Sequence, residues 1–480
     1  MKMATRIGRV AYSIVAAAYS VAGGGGGGGE EAMCDSLRLD GESFGGNGGE
    51  ERKQQQLKDQ YPINPFAAMR HVLPKWHTKA LVSPEIMVDE TEMETEIEIE
   101  GGKQNEKEQN KQKLLAHSLK RGEPCSFDRE LILANSRSSE EKDGLEWHFE
   151  DAGYLKKTLG ARVYNVAQES NLDKAEGLSS MLKNTVLLKR EDKQPVFSFK
   201  LRGAFNRMAN LSPEELGKGV ICSSAGNHAQ GVALSASRLG CKATICMPLA
   251  APDIKVEAVK RMGGTVKLVG ESYDECQAFA KKTAKEEGLS YIHPFDDPYI
   301  IAGQGTVGVE ILRQYSIDFV EEESDLDAVF VPVGGGGLLA GVSSYIKQVR
   351  PDIKVFGVEP LGSACMTEAL MRGEVCTLDT VDAFADGVAI KTAGAEPFRF
   401  VSKFSDGIVT VTKEEICAAI KDVYRDTRSI LEPAGAVSIA GMKAYCKFNK
   451  VEGKVLVAVT SGANMNFDSL RVVSDNAKQY

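Results

Sequence analysis

Lys200 lies between two apolar residues, Phe199 and Leu201, in the segment PVFSFKLRGAFNRM that extends from Pro195 to Met208. Burial disfavours a charged ammonium, so an apolar environment lowers the pKa of a lysine and makes a nucleophilic amine available nearer neutral pH. The same pattern fits a surface lysine whose aliphatic stem packs on apolar neighbours while its charged end reaches water. Taken alone, Lys200 is either a surface residue or a reactive amine.

The placement of this amine depends on whether the segment is extended. In an extended chain Val196, Ser198 and Lys200 occupy one face and the phenylalanines occupy the other. A helical pattern, AFNRMANL, follows Gly203. The amine would then lie near the end of an extended segment, shortly before a helix.

A second stretch that could carry chemistry is SSAGNHAQGVA, which follows the apolar run GVIC and opens a helical pattern. Small residues let the backbone approach a ligand, and the free N–H groups and dipole of a helix N-terminus favour an anion. Asn227 can both donate and accept hydrogen bonds. Serine and asparagine are also ordinary helix caps, and His228 alone is more often a structural residue.

A third stretch, VPVGGGGLLAG, places four consecutive glycines between a strand and a helix. Backbone amides in such a loop form a nest for an anion, with no side chains in the way. The sequence therefore predicts a phosphate-binding loop. Its residues are Gly334, Gly335, Gly336, Gly337 and Leu338.

The same glycines also match a different motif. Gly335, Gly337 and Ala340 fit the dinucleotide fingerprint G-x-G-x-x-A, and Glu359 closes the next strand about twenty residues later, where an acidic residue would bind a ribose. An NAD-dependent oxidoreductase is therefore an open alternative at this point.

A fourth stretch, TSGANMNF, follows the apolar run VLVAV. Ser461 would stand at the end of that strand, where its hydroxyl is a neutral hydrogen-bond partner. A simple helix cap is the alternative interpretation.

These stretches belong to a body in which short apolar runs alternate with amphipathic helical patterns. Continuous apolar runs are typical of a parallel sheet covered on both faces, and in such sheets ligands bind at the carboxyl ends of the strands. The loops after the strands are therefore expected to carry the chemistry. The runs are 185–189, 219–224, 242–248, 265–270, 291–295, 326–333, 353–360 and 455–461.

Composition excludes several classes of function. The chain has 480 residues, a formal net charge of −9 and a pI of about 5.5, with dispersed basic residues, so nucleic-acid binding is not expected. Its ten cysteines include no C-x-x-C pair and are expected to be reduced thiols. Apart from a loose His71/His77 pair, the six histidines lack metal-ligand spacing, so no metal site is expected.

The N-terminal part differs from the body. Residues 1–50 combine a basic head that lacks acidic residues before Glu30 with a glycine-rich run, a pattern that predicts a transit peptide. The apolar run in this head is too short to span a bilayer, and no membrane association is expected. Residues 51–145 are polar and charged, which predicts a disordered linker.

Several long motifs, in order over roughly residues 150–475, resemble those of fold-type II pyridoxal-phosphate enzymes, and specifically plant-type biosynthetic threonine dehydratases. This resemblance implies a tryptophan synthase β-like α/β fold, with two open domains, mostly parallel sheets and the cofactor in the cleft between them. It implies a large domain from residues 146–207 and 300–480 and a small domain from residues 208–299. The motifs are LLKRED, QPVFSFKLRGA, GVICSSAGNHAQGVALSASRLGC, IAGQGTVGVEI, VFVPVGGGGLLAG, FADGVA, ILEPAGA and SGANMNF.

The resemblance also implies residue roles. Lys200 would be the catalytic lysine that binds the cofactor covalently, with Phe199 beside it, and the glycine loop from Gly334 to Leu338 would bind the phosphate. Asn227 would bind the 3-oxygen of the pyridine ring, and Ser461 its nitrogen. The loop for the substrate carboxylate would comprise Ser224, Ala225, Gly226, Asn227 and His228.

The activity implied is the conversion of L-threonine to 2-oxobutanoate and ammonia, the first step of isoleucine biosynthesis, with L-serine as a second substrate. A serine dehydratase or racemase of the same fold is an alternative. Serine racemases that resemble this chain carry a second acid/base serine immediately before the Gly-Asn pair, where this chain has Ala225, so elimination is favoured.

The resemblance further implies a homo-oligomer, a dimer or tetramer, in the plastid stroma, with the mitochondrial matrix as the alternative. In the biosynthetic class an isoleucine-sensing, ACT-like regulatory domain follows SGANMNFDSLRVVSD. That domain is expected to be absent here, and activity is expected to be insensitive to isoleucine.

Overall fold

The computed structural model describes residues 119–130, 132, 151–319 and 325–478. All of these residues belong to one unit, which covers residues 97–480. The transit peptide and glycine-rich segment predicted at 1–50, and most of the linker predicted at 51–145, lie outside the described residues.

Within these residues, ten strands form one sheet of six strands and one of four. The strands are β1 (Leu172–Lys174), β2 (Thr185–Arg190), β3 (Val220–Ser223), β4 (Ala243–Met247), β5 (Thr265–Leu268), β6 (Ser290–Tyr291), β7 (Leu326–Pro332), β8 (Lys354–Pro360), β9 (Ile408–Val411) and β10 (Val455–Thr460).

Helices connect most of the strands and cover the sheets. They are α1 (Asp151–Leu159), α2 (Glu176–Leu182), α3 (Lys200–Met208), α4 (Pro213–Lys218), α5 (Asn227–Leu239), α6 (Asp253–Arg261), α7 (Tyr273–Glu287), α8 (Pro298–Asp318), α9 (Gly337–Val349), α10 (Cys365–Arg372), α11 (Ala395–Phe404), α12 (Lys413–Thr427), α13 (Pro433–Asn449) and α14 (Ser469–Asn476). Short 3-10 turns are formed by Val163–Asn165, Glu191–Lys193, Leu361–Ser363 and Ala383–Val388.

The two sheets are parallel except at one edge. The six-stranded sheet has the order β1-β2-β10-β7-β8-β9, in which only the β1/β2 pair is antiparallel. The four-stranded sheet has the order β5-β4-β3-β6, and all of its pairs are parallel. The predicted α/β fold with mostly parallel sheets is confirmed, whereas the domain boundaries at 146–207, 208–299 and 300–480 remain a prediction.

The larger sheet is apolar on both faces, which explains the continuous apolar runs of the sequence. Along β7, Val329 and Val331 point into one buried cluster, whereas Ala328 and Phe330 point into another on the opposite face. Because successive side chains of a strand alternate between faces, a strand with helices on both sides must be apolar at every position.

Four segments differ from the sequence-based predictions. The predicted strand at 291–295 ends at Tyr291, because Pro294 has no N–H to donate and His293 Nδ1 accepts the N–H groups of Phe295 and Asp296 in a turn. Strands β1 and β9 were not anticipated. Residues 119–130, within the predicted linker, pack on the body, since Cys125 is 2% exposed and donates its N–H to Ile408 O at 2.8 Å.

Three classes of feature are missing from the part of the chain that the structure describes. No helix there has the length and apolar character needed to cross a bilayer. No group of three or more metal-ligating side chains comes together in it. Its nine cysteines are free thiols and form no disulfide.

Candidate active site

A cavity of about 670 Å³ opens beside the carboxyl ends of strands from both sheets. Its walls come from the start of α3 and from the loops that follow β3, β7 and β10. The structure brings to this one cavity every site residue that the family resemblance implied. These residues are Phe199, Lys200, Ser224, Ala225, Gly226, Asn227, His228, Gly334, Gly335, Gly336, Gly337, Leu338 and Ser461.

Lys200 is the first residue of α3, so the chain is helical from Lys200 and the placement considered for an extended segment does not apply. Its Nζ donates to Pro294 O at 3.0 Å and lies 5.3 Å from the centroid of the Phe199 ring. Burial lowers the pKa of the Lys200 ammonium to about 8. The neutral amine is therefore accessible near physiological pH, as its apolar neighbours suggested.

The turn before Lys200 is held by the loop after β10. Phe197 has a φ of 57°, in the left-handed region that side chains other than glycine rarely adopt. Its carbonyl accepts the N–H groups of Gly462 at 3.1 Å and Ala463 at 3.2 Å. Because these bonds fix the strained turn, the start of α3 is locked to the end of β10.

Ser461 follows the last residue of β10 and is 5% exposed. Its Oγ accepts the N–H of Phe199 at 3.0 Å. A hydroxyl that already accepts a backbone N–H retains its own proton for donation. Ser461 therefore offers the cavity a neutral hydrogen-bond donor.

The loop after β3 ends at the N-terminus of α5, whose first residue is Asn227. The N–H of Gly226 is bonded to Ser224 Oγ at 3.2 Å, which folds the loop back on itself. The unpaired N–H groups of the first helical turn, together with the helix dipole, face the cavity with a partial positive charge. This end of the cavity is suited to a carboxylate.

His228 lines the same loop but is a neutral residue. Burial and the nearby Lys200 lower the pKa of its imidazole to about 3, and its Nε2 lies 3.0 Å from Ile292 O. His228 therefore supports the loop without adding a positive charge for an anion.

The glycine loop after β7 leads directly into α9, which begins at Gly337. Its backbone passes close to other groups: a Cβ on Gly335 would lie 2.4 Å from the Phe295 ring, and one on Gly337 would lie 2.8 Å from Phe295 O. Gly336 has a φ of 93°. These contacts require glycine, and a glycine loop presents backbone N–H groups to a ligand with no side chains in the way.

We expect Gly336→Ala to weaken binding of a phosphate-bearing ligand and to destabilise the fold by roughly 1–3 kcal/mol. The new Cβ would occupy a left-handed position and lie 2.4 Å from Met366 Cε and 2.9 Å from Pro397 Cβ. Ligand affinity is to be measured by equilibrium dialysis and stability by thermal denaturation.

Gly217→Ala is the matched control, because a Cβ there would meet nothing within 4 Å. Gly217 lies in the last turn of α4, where this change should leave ligand affinity unaltered and alter stability by less than about 1 kcal/mol. If Gly336→Ala behaved like Gly217→Ala, the requirement for glycine in the loop would be refuted.

Glu359 does not reach the cavity, which contradicts its proposed role in binding a ribose. The carboxylate is fully buried and accepts the N–H groups of Met366 at 2.9 Å and Thr367 at 2.8 Å. It therefore caps the first turn of α10. A carboxylate at the end of a strand has the same local sequence whether it binds a ribose or caps a helix. Only the tertiary structure distinguishes these two roles.

Several polar residues of the cavity wall were not assigned from the sequence, and Glu432 and Asn464 are two of them. Glu432 belongs to the quoted motif ILEPAGA, and Asn464 belongs to SGANMNF. An acidic residue in an otherwise apolar run, just before a proline that starts a helix, was the signal that could have identified Glu432.

The chain matches the family model described as "Pyridoxal-phosphate dependent enzyme" over residues 165–462. It is 57% identical over 324 residues to "Threonine dehydratase 1 biosynthetic, chloroplastic" of Solanum lycopersicum, a match that covers 68% of this chain and 52% of the relative. It is 55% identical over 324 residues to "Threonine dehydratase biosynthetic, chloroplastic" of Arabidopsis thaliana, a match that covers 68% of this chain and 54% of the relative. The chain thus spans about half the length of these plant relatives.

Solved structures show the same likeness. The processed form of threonine deaminase isoform 2 from Solanum lycopersicum is 47% identical and superimposes with a TM-score of 0.67, covering 75% of this chain and 94% of that one. Maize serine racemase is 29% identical and superimposes with a TM-score of 0.61, covering 68% of this chain and 97% of that one. From the family match, these identities and the cavity described above, we conclude that the chain belongs to the family of pyridoxal-phosphate-dependent enzymes.

Proposed function

We propose that the chain catalyses the pyridoxal-phosphate-dependent removal of water from L-threonine to give 2-oxobutanoate and ammonia, the first step of isoleucine biosynthesis. L-Serine, which would give pyruvate, is the second substrate. The observation that carries the proposal is the meeting of Lys200, Asn227, the glycine loop and Ser461 in one cavity. The names of the plant relatives support the choice of threonine.

The donors of the cavity fit pyridoxal phosphate. The N–H groups of Gly334, Gly335, Gly336, Gly337 and Leu338 would bind its phosphate, and Phe199 would contact the ring. Asn227 would donate to the 3-oxygen, and Lys200 would hold the aldehyde carbon. When bound, the cofactor supplies an electron sink conjugated to the substrate α-carbon.

Ser461 would donate its hydroxyl proton to the ring nitrogen. The N–H of Phe199 orients that proton, since it already occupies an Oγ lone pair. A neutral hydroxyl leaves the ring nitrogen unprotonated, whereas a carboxylate in this position would keep it protonated. The weaker electron demand of the unprotonated ring favours elimination over transamination.

Lys200 Nζ would take the α-proton of the substrate. A base works best when its pKa is near the working pH, and burial lowers the pKa of Lys200 to about 8. The β-hydroxyl then leaves, and in the net reaction it forms one molecule of water with the proton removed from the α-carbon. The released enamine tautomerises to an imine. Addition of water to the imine yields 2-oxobutanoate and ammonia, so the atoms of L-threonine are fully accounted for.

The loop of Ser224, Ala225, Gly226, Asn227 and His228 would bind the substrate carboxylate at the N-terminus of α5. Racemisation is the weaker candidate, despite the likeness to maize serine racemase. It needs a second proton carrier opposite the lysine, and the methyl group of Ala225 cannot carry a proton. We therefore expect L-serine to give pyruvate without D-serine.

Two further parts of the proposal concern the cell. The relatives are named chloroplastic, which supports a plastid location, and we assign the enzyme to the stroma. We also propose that it acts as a homo-oligomer, a dimer or a tetramer.

The test is a visible absorption spectrum of the protein with pyridoxal phosphate before and after addition of L-threonine, with 2-oxobutanoate assayed in the same sample. A visible band that changes with substrate, together with 2-oxobutanoate formation, is the expected result. A protein that gave no visible band and made no 2-oxobutanoate would refute the proposal. A protein that reduced NAD instead would support the oxidoreductase alternative.

A further inference from the structure

Glu432 is a carboxylic acid enclosed at the edge of the cavity, and the proposed reaction does not use it. It is 4% exposed and immediately precedes Pro433, the first residue of α13. The surrounding backbone is tight: a Cβ on Gly462 would lie 2.2 Å from Glu432 Oε1, and one on Gly387 would lie 3.2 Å from it. The motif ILEPAGA and two glycines thus build a closed site for one carboxyl group.

Three residues form a closed ring of hydrogen bonds that includes this carboxyl group. Glu432 Oε1 accepts from Asn227 Nδ2 at 2.6 Å, and Glu432 Oε2 accepts the backbone N–H of Asn464 at 2.9 Å. Asn464 Nδ2 donates to Asn227 Oδ1 at 2.6 Å, which completes the ring. The 2.6 Å bond from Asn227 to Glu432 is as short as a charge-assisted hydrogen bond.

The ring determines which way the Asn227 amide faces. The second N–H of Asn464 Nδ2 donates to Val196 O at 2.9 Å, so Asn464 can present only donors to Asn227. An ionised carboxylate can only accept. Asn227 must therefore direct its oxygen to Asn464 and one N–H to Glu432, which leaves its second N–H for the cavity that Asn227 lines.

We propose that Glu432 is a positioning residue: its carboxylate fixes the Asn227 amide so that one N–H is always presented to the 3-oxygen of the cofactor. This inference rests on the proposed function, because it assigns the ligand of that N–H. It makes the ionised form of Glu432 the form that favours cofactor binding.

The charges that face Glu432 come from two other elements. Asp386, within the 3-10 turn Ala383–Val388, raises the pKa of Glu432, and Lys255 of α6 lowers it. Burial is the largest influence, and together these effects raise the pKa to about 7. Below pH 7 the carboxyl group gains a proton, and an O–H then opposes one of the two N–H donors that it faces.

Glutamine at this position keeps the shape but cannot complete the ring. Its amide has one acceptor and one donor end, whereas both oxygens of Glu432 face N–H groups. The NH₂ group of the glutamine would then face either the backbone N–H of Asn464 or the side-chain N–H of Asn227, and two donors cannot form a hydrogen bond. If the Asn227 amide turned so that its oxygen accepted from the glutamine, its NH₂ group would face Asn464 Nδ2, which is also a donor.

The experiment compares the pyridoxal phosphate dissociation constants of the wild-type chain and Glu432→Gln, measured by equilibrium dialysis at pH 6 and pH 8. At pH 8 we expect Glu432→Gln to bind about tenfold more weakly, which corresponds to the loss of one charge-assisted hydrogen bond. At pH 6, where Glu432 of the wild-type chain is protonated, the two should differ by less than about twofold. The pH dependence of the visible band of the bound cofactor is the second readout, and its step near pH 7 should vanish in Glu432→Gln.

Glu359→Gln is the matched control. Glu359 is also fully buried with a pKa raised to about 7 by burial, and it accepts backbone N–H groups, but it caps α10 away from the cavity. For both residues the folded state holds a proton that the unfolded state releases between about pH 4.5 and pH 7, so the stability each contributes falls as pH rises through that window. Glu359→Gln should change the pH dependence of unfolding and leave cofactor affinity and spectrum unaltered.

Asn464→Ala provides a second variant that leaves Glu432 intact. Asn464 is half-buried, and the change keeps its backbone N–H on Glu432 Oε2 while removing its side-chain bond to Asn227. The amide of Asn227 then loses one of its two restraints, and we expect cofactor affinity to fall at both pH values.

The outcomes separate this inference from the proposed function. A wild-type chain that bound no pyridoxal phosphate and did not convert L-threonine would refute the proposed function. A wild-type chain that did both, with Glu432→Gln equal to it at pH 8, would refute the positioning role alone. A loss of affinity that was the same at pH 6 and pH 8, or that Glu359→Gln reproduced, would show a merely structural role and also refute it.

Discussion

Replacing Lys200 with alanine should lower kcat/KM for L-threonine by about 10²–10⁴-fold, the range that a positioned acid/base group contributes. The Nζ of Lys200 lies 3.0 Å from Pro294 O and 5.3 Å from the centroid of the Phe199 ring, in the cavity that the glycine loop also lines. The methyl group of alanine can act neither as a nucleophile nor as a base. The measurement is the steady-state rate of 2-oxobutanoate formation.

Lys193→Ala is the control for this change. Lys193 precedes the same segment, is about half exposed and pairs with Asp173 at 2.9 Å. We expect the control to retain wild-type kcat/KM. A Lys200→Ala protein that deaminated L-threonine at the wild-type rate would refute the role of Lys200.

The same lysine predicts a pH dependence of stability in the cofactor-free protein. Burial lowers the pKa of Lys200 from 10.5 to about 8, so between these values the unfolded chain holds a proton that the folded chain has released. The contribution of Lys200 to the free energy of unfolding therefore rises with pH across this window. Lys200→Met should be more stable than the wild-type chain at pH 7, and the difference should shrink towards pH 10 in denaturant titrations.

Arg202→Met should destabilise the protein by about 3–5 kcal/mol, the typical effect of removing one member of a buried ion pair. Arg202 is fully buried on α3, two residues after Lys200. Its guanidinium lies 2.7 Å from Glu191 Oε1 and 2.6 Å from Glu310 Oε1. Without Arg202, both buried carboxylates lose their main compensating charge.

The cluster around Arg202 joins three parts of the fold. Glu191 follows β2 and Glu310 belongs to α8, while Lys189 of β2 adds a second cation, 2.6 Å from Glu310 Oε2. The cluster carries two positive and two negative charges and is therefore neutral. Because the cluster holds α3 against α8 and the end of β2, its loss should displace Lys200 as well as destabilise the fold.

Lys218→Met is the matched control for Arg202→Met. Lys218 pairs with Glu214 at 2.8 Å, but the two side chains are 51% and 79% exposed. Exposed pairs contribute about 0–1 kcal/mol, so its loss should hardly change the midpoint of urea denaturation. Equal midpoints for Arg202→Met and Lys218→Met would contradict the assigned role of the buried cluster.

Much of the candidate site followed from local sequence. Ser461 and the glycine loop could be located because each stands directly after an apolar run, and parallel strands bring their carboxyl ends to one edge. Lys200 and Asn227 could be singled out by residue type, but their roles were implied by the resemblance to fold-type II pyridoxal-phosphate enzymes. The location of the loops needed only the order of strands and loops, which short-range patterns encode.

Other features could not be derived in this way, because they depend on residues far apart in the chain. Glu432 and Asn227 are 205 positions apart, and Arg202 and Glu310 are 108 positions apart. Nothing in the neighbourhood of Glu359 distinguishes a ribose-binding carboxylate from a helix cap. The helical start at Lys200 was missed because the bonds of Phe197 O to Gly462 and Ala463 decide the preceding turn.

The sequence by itself determined the parallel α/β body, the four loops at the strand ends and the amine with apolar neighbours. Each of these features depends on residues that are adjacent in the chain. The tertiary structure decided which buried charges pair, which carboxylate borders the cavity and which way the Asn227 amide faces. The physical reason is that burial and hydrogen-bond partners, which set the pKa of Lys200 and of Glu432, arise only when distant segments pack together.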